Sequence, residues 1–411
     1  MGGPALPPAT SPCPTWPART LYCKLARSAS EGPGWGPGLC FGLVWSVSFQ
    51  TAIAITSMDA AIEISGRRIG PGEPPYVVAE LSGNHGQDFD RAVELVEAAA
   101  RAGAAAIKLQ TYTPETMTLD LAEPPFRIEG TPWAGQSLFD LYRQAATPWP
   151  WQPRLMKIAN QLGLHAFATP FDATAVDFLE SIGVPAYKIA SFELVDLPLL
   201  AQVARTGKPL ILSTGMATIE EISEAIQTVR AAGGRQVALL KCTSAYPASP
   251  AAMNLRTLPH LAATFGVPVG LSDHSLSLSV PAAAVALGAA IVEKHLTLSR
   301  SQPGTDAAFS LEPAEFQALV ETVRTAYEAL GRVQYGAGPE ELAARRLRRS
   351  LFVVQPIRAG EPLTPENVRA IRPGDGLPPR CLEQVLGRKA SRDLGRGTPL
   401  RWEHLDPRPE P

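Results

Sequence analysis

Lys108 and Lys188 each stand inside an apolar run, AAIKLQTY (105–112) and AYKIAS (186–191). A buried lysine is costly unless it has a partner or faces a wet cavity. Hydroxyls stand near both: Ser191 closes the Lys188 run, and Ser213 and Ser272 lie near the ends of other apolar runs. Two ammonium groups among such hydroxyls form a cradle for phosphate and carboxylate. The alternative is that each lysine snorkels to the end of its element. Two lysines on separate runs, each with hydroxyls beside it, favour the anion site. His274 and His295 end the next two runs, PVGLSDHS (268–275) and AIVEKHLT (290–297). Side by side, two imidazoles suit a divalent transition metal with positions left open for water or substrate. Either one alone reads as a hydrogen-bonded structural histidine.

Glu80 ends the first run and Asp306 follows the last. Either acid could hold a metal water or contact a sugar, and Glu80 could move a proton. For Glu80 the competing expectation is an ion pair with Lys108. Gln110, Glu193 and Tyr246 fall at the same ends of their segments. His85 is expected to be structural or to support the ligands from behind. Cys242 has no obvious base beside it in sequence and is expected to be a small buried hydrophobe, not a nucleophile.

Something must bring these residues to one place. The runs 75–81, 105–112, 165–171, 186–191, 209–215, 237–244, 268–275 and 290–297 are short, apolar and separated by helix-like stretches. Near-continuous apolar runs mark parallel strands covered on both faces. Phe89, Val93, Val96 and Ala100 recur at helical spacing before Gly103. Thr218 with Glu221 forms a capping-box pattern, and a last helix is expected over about Pro313–Leu330. Eight β–α units predict a (β/α)8 TIM barrel, whose active residues lie at the carboxyl ends of the strands. A doubly wound sheet would need a glycine-rich turn after the first strand, and LSGNHGQ is not GxGxxG. Residues 58–335 are therefore read as the catalytic domain and 336–349 as a linker. Residues 350–411 read as a small β-rich module, too small for much core of its own. Residues 1–57, rich in Pro, Gly and Ala before a short apolar stretch, are expected to be a disordered extension or a mis-assigned start.

The composition narrows the class. The chain has 411 residues, 45% of them hydrophobic and 18% charged, with a formal net charge of −2. That charge gives no general field for nucleic acid or an anionic membrane, so a small molecule is the expected partner. Five cysteines without CxxC spacing suggest neither a disulfide framework nor a zinc ribbon, and fit a reducing, cytoplasmic setting.

The strings AELSGNHGQDFD, AAIKLQTYTPETMTLD, YKIASFE, LSTGMAT, KCTSAYP, GLSDHSLSLSVPAAAVALGA and VEKHLTLSRS resemble the sialic acid synthase superfamily. From Ser350 the chain resembles its carboxy-terminal SAF, or antifreeze-like, domain. The resemblance implies condensation of phosphoenolpyruvate with an amino-sugar aldehyde. It implies phosphoenolpyruvate contacts from Lys108, Thr169, Lys188, Ser191, Ser213, Ser244 and Ser272, although Ser244 stands where sialic acid-forming members carry Asn. It implies a divalent metal on His274 and His295, with Mn first and Mg, Co or Zn as other candidates. Glu80, Gln110, Glu193, Tyr246 and Asp306 would surround the sugar and metal waters. It further implies a homodimer in which the SAF domain of one subunit covers the barrel of the other, bringing Arg372 to the sugar. KLQTYT, TSAYP and DAAFSLEP set the chain apart from the members that make N-acetylneuraminate. A non-catalytic carbohydrate-binding protein is the alternative from another class.

Overall fold

The computed structural model describes residues 60–130, 133–302 and 304–407; the expectation for 1–57 lies outside the described residues. A short antiparallel hairpin comes first, β1 (Ile62–Ile64) and β2 (Arg67–Ile69). Eight parallel strands follow: β3 (Tyr76–Glu80), β4 (Ala106–Thr111), β5 (His165–Pro170), β6 (Tyr187–Ile189), β7 (Leu210–Ser213), β8 (Val237–Cys242), β9 (Val269–Asp273) and β10 (Ala289–His295). They close into a barrel, with β10 hydrogen-bonded to both β9 and β3. Seven of the eight apolar runs contain one of these strands and the eighth misses only the first residue of β10, which is the (β/α)8 architecture read from the sequence.

The helices between them obey the local signals. Asp88 caps the helix Phe89–Arg101 by accepting from the Asp90 and Arg91 amides. Thr218 and Glu221 form the reciprocal capping box of Ile219–Ala231. The last barrel helix runs Pro313–Leu330, with proline in its first turn.

Strand alternation divides the barrel into two cores. Outward side chains such as Leu109, Leu212, Leu239 and Leu271 pack against the helices. Inward ones, including Tyr76, Val78, Phe167, Ile211, Leu240 and Ile291, fill the lower interior. Ile62, Ile64 and Ile69 of the hairpin join this inner cluster and plug the amino-terminal end. The hairpin was not foreseen, because two three-residue strands carry too little periodicity to register. Gly270 belongs to the close-packed interior, where a Cβ would sit 2.5 Å from the Ile291 carbonyl oxygen.

Beyond the barrel, β11 (Ser350–Val353) pairs with β12 (Val368–Ile371). Contrary to the expectation of little core, Leu351, Val353, Ile357, Leu363, Val368, Val385, Leu394 and Leu400 form an apolar cluster of their own. Isolated bridges such as Phe352–Pro399 and Ile357–Leu394 cross-link the loops and allow so short a segment to enclose it. No helix among the described residues is long and apolar enough to cross a membrane.

Candidate active site

The alternation that makes the lower interior apolar turns polar one step up. Two residues beyond Val78 in β3 is Glu80, and two beyond Ala106 in β4 is Lys108. Phe167 gives way to Thr169, Ala186 to Lys188, Ile211 to Ser213, Leu240 to Cys242, Gly270 to Ser272 and Ile291 to Glu293. These side chains enter one cavity from the carboxyl ends of the strands, with His274 and His295 above them.

The two lysines meet on one carboxylate. Glu293 Oε1 lies 3.2 Å from Lys108 Nζ and 3.9 Å from Lys188 Nζ. It also accepts from the Ser272 hydroxyl at 3.3 Å. Lys108 pairs with Glu80 Oε2 at 2.8 Å, and Glu80 Oε1 accepts from Gln110 Nε2 at 3.0 Å. The expected Glu80–Lys108 ion pair is therefore present. Lys188 donates to Ser213 Oγ at 2.5 Å, and Lys108 reaches Thr169 Oγ1 at 3.4 Å.

Electrostatics separates the two ammonium groups. Burial, opposed by Glu293 but seconded by Lys108, brings Lys188 down to about 8. Lys108 is also penalised by burial, yet Glu293 and Glu80 together hold its pKa above the usual value. Burial raises Glu80 despite Lys108, whereas Lys108 and Lys188 outweigh the burial of Glu293 and keep it low. So much buried positive charge with hydroxyls around it suits an anion. Ser191 and Ser244 complete the wall: the Gly215 amide donates to Ser191 Oγ at 3.0 Å. A Cβ on Gly215 would sit 2.3 Å from Ser244 Oγ and 2.7 Å from Ser191 Oγ, so only glycine leaves this cradle open.

His274 and His295 stand with ring centroids 5.3 Å apart. His274 Nδ1 lies 3.2 Å from the Thr243 carbonyl oxygen and 3.9 Å from Cys242 Sγ, which leaves Nε2 for a ligand. His295 Nδ1 is buried without a hydrogen-bond partner, and Asp306 Oδ2 is 3.6 Å away. Burial, His274 and the lysines hold His295 neutral, the ligating form. Burial pushes Asp306 up to about 6. Among the described residues no three His, Cys, Asp or Glu side chains are grouped as a ready-made cage. Two imidazoles and a nearby carboxylate nevertheless fit a divalent cation that keeps open positions.

The structure brings Gln110, Tyr246 and Glu193 to the same region. Tyr246 packs on His274 at 4.6 Å between centroids, and burial lifts Glu193 to about 7 with its Oε2 unpartnered. Arg372 is not brought in: it lies exposed just after β12. His85 is structural, 3.0 Å from Thr147 Oγ1, and burial lowers its pKa to about 4. Two positioning residues stand at strand ends in the sequence but were given no role from it. Glu293 is the hub for both lysines; its period-2 position below His295 was the available signal. Asn84 donates to the Leu296 carbonyl and Ser310 Oγ, and accepts from the Asp306 amide at 3.1 Å, fixing the loop that carries Asp306. Cys242 is buried as expected. Burial raises its pKa, but contacts from His274, Ser191 and Lys188 win and bring it to about 7.

Comparison with known proteins agrees with this geometry. Residues 95–335 match the NeuB family and residues 348–406 a SAF domain. The chain is 44% identical to the pseudaminic acid synthase of Helicobacter pylori over 335 residues, 81% of this chain and 98% of that one. It is 36% identical to the N,N'-diacetyllegionaminic acid synthase of Legionella pneumophila, over 80% of this chain and 94% of that one. Among solved structures it resembles the N-acetylneuraminic acid synthetase of Leptospira borgpetersenii crystallised with citrate. That likeness has a TM-score of 0.62 and 31% identity, over 69% of this chain and 94% of that chain.

Proposed function

The chain belongs to the NeuB family, and from that premise we propose that it is a pseudaminic acid synthase. It would join phosphoenolpyruvate to 2,4-diacetamido-2,4,6-trideoxy-L-altrose, with water, to give pseudaminic acid and phosphate. The observation that carries the reading is the convergence of Lys108 and Lys188 on Glu293, two residues below His295. The likeness to the Helicobacter enzyme supports the choice of sugar.

In this reading Lys108 and Lys188 hold the phosphate and carboxylate of phosphoenolpyruvate, with hydroxyl contacts from Thr169, Ser191, Ser213, Ser244 and Ser272. Their role is positioning: C3 is held toward the aldehyde carbon. A divalent cation, Mn first among the candidates, would be held by His274 and His295 and would supply Lewis-acid polarisation of the aldehyde. Gln110, Glu193, Tyr246 and Asp306 surround the sugar. The C3–aldehyde bond forms as the enol phosphate becomes an oxocarbenium at C2, and the aldehyde oxygen takes the electron pair of its broken π bond and a proton to become a hydroxyl. Glu80, its pKa raised by burial, takes a proton from the water that adds at C2. The C2–O bond to phosphorus then breaks, releasing phosphate and leaving a 2-keto acid.

Arg372 belongs to the same proposal. Exposed on the SAF domain, it is available to a second subunit, in a homodimer whose SAF domains each cover the partner barrel. Phosphoenolpyruvate as substrate supports a cytoplasmic setting. Competition between the diacetamido sugar and N-acetylmannosamine, read by product mass, tests the sugar. Preferential use of N-acetylmannosamine would make it a sialic acid synthase instead. Titration calorimetry separates a synthase from a carbohydrate-binding protein. The proposal expects heat from phosphoenolpyruvate with Mn; heat from sugar with none from phosphoenolpyruvate and Mn contradicts it.

A further inference from the structure

An aromatic wall rises from the histidines toward the mouth of the barrel. Tyr246 lies 4.6 Å from His274, and Phe309 lies 5.1 Å from His295, between ring centroids. Tyr246 and Phe309 are 5.0 Å apart. Trp133, from the long loop after β4, extends the wall by one ring, 5.8 Å from Tyr246 and 6.2 Å from Phe309. Phe309 is buried, whereas Trp133 and Tyr246 keep part of their surface exposed.

The polar atoms of this wall are committed. Trp133 Nε1 donates to the Thr305 carbonyl at 2.9 Å, and the Tyr246 hydroxyl has Ser244 as its hydrogen-bond partner. The wall presents partly exposed ring surface at Trp133 and Tyr246. A hydroxyl pressed against such a surface loses its water without gaining a partner, whereas a methyl loses nothing.

The inference rests on the proposed reading of an amino-sugar aldehyde whose carbonyl end lies at the two histidines. A six-carbon chain spans roughly 6 Å at ~1.5 Å per bond. Its far end therefore falls among the rings beyond the histidines, Tyr246, Phe309 and Trp133. We infer that Trp133, backed by Tyr246 and Phe309, is a specificity-determining residue that reads the C6 end of the sugar and selects a deoxygenated carbon there.

The test uses two sugars that differ only at C6: the trideoxy diacetamido altrose and its 6-hydroxy counterpart. kcat/KM is measured for both with the full-length wild type, Trp133→Phe and Trp133→Ala. An apolar pocket rejects an added hydroxyl by about a hundredfold at most, so the wild type prefers the 6-deoxy sugar by about that factor. Trp133→Phe lacks the N–H to Thr305 but keeps a ring, and it retains most of the preference. Trp133→Ala brings the two sugars to within about fivefold of each other, through better use of the 6-hydroxy sugar. The KM for phosphoenolpyruvate stays unchanged in both variants. An unchanged ratio in Trp133→Ala overturns the inference, as does a loss proportional for both sugars. So does a loss that follows truncation of the 4-acetamido group instead of C6, which would assign the wall to that group. If the wild type uses neither diacetamido sugar but accepts N-acetylmannosamine, the proposed function itself fails and the C6 assignment falls with it.

Discussion

Behind the two histidines lies an ion pair whose removal has a calculable consequence. Asp273 and Lys294 precede His274 and His295, are register partners across β9 and β10, and point away from the cavity. Lys294 Nζ is 2.7 Å from Asp273 Oδ2, and both side chains are wholly buried. Lys294 also donates to the Ser275 carbonyl, and Asp273 Oδ1 accepts from the Ser275 amide at 2.8 Å. Lys294→Met leaves a buried carboxylate without its counter-ion, at a cost of about 3–5 kcal/mol. For a chain of this size that lowers the thermal midpoint by about 5 °C. Asp273→Ala/Lys294→Met removes both charges and leaves only the Ser275 polar groups unsatisfied, so it recovers all but about 1–2 kcal/mol. Thermal and urea unfolding followed by circular dichroism, in chelator to exclude stabilisation by bound metal, measures both variants. A loss below about 1 kcal/mol in the single variant, or a double variant no better than the single, would show that the buried pair does not stabilise the fold in this way.

Other outcomes follow from the same geometry. His274→Ala abolishes turnover and weakens Mn binding in calorimetry while the far-ultraviolet spectrum stays unchanged; full activity after metal stripping would contradict the assigned role. Lys188→Met, which removes one charge-assisted contact, raises the dissociation constant for phosphoenolpyruvate by about 10–100-fold without unfolding the barrel. Glu193 has its pKa raised to about 7 in the fold, so the folded state holds the extra proton between about 4.5 and 7 and stability falls as pH rises through that window. Glu193→Gln flattens this fall, worth about 2–3 kcal/mol, in unfolding measured from pH 4.5 to 8.

The barrel was legible because its strands are buried on both faces, and such strands write themselves as apolar runs. Polar residues at the carboxyl end of each run marked the cavity: Lys108 and Lys188 sit two places beyond Ala106 and Ala186, which line the interior. The contacts among those residues were not legible. That Glu293 bridges both lysines depends on the stagger of β10 against strands far away in sequence. That Asn84 holds the Asp306 loop depends on hydrogen bonds spanning more than two hundred residues. The β1–β2 hairpin and the core of the SAF domain were missed for a different reason. Very short strands and isolated bridges leave no periodic trace, although together they enclose residues such as Ile64 and Leu351 completely.

In the proposed enzyme one rim of the barrel holds an anion on two lysines and an aldehyde beside two histidines, and joins them. Mass spectrometry of a reaction run in oxygen-18 water examines that joining itself. With phosphoenolpyruvate, the trideoxy diacetamido altrose and Mn, the account predicts a nine-carbon 2-keto acid and phosphate free of oxygen-18, because water adds at carbon. Labelled phosphate with no condensed product would mean that the site only hydrolyses phosphoenolpyruvate, and would contradict it.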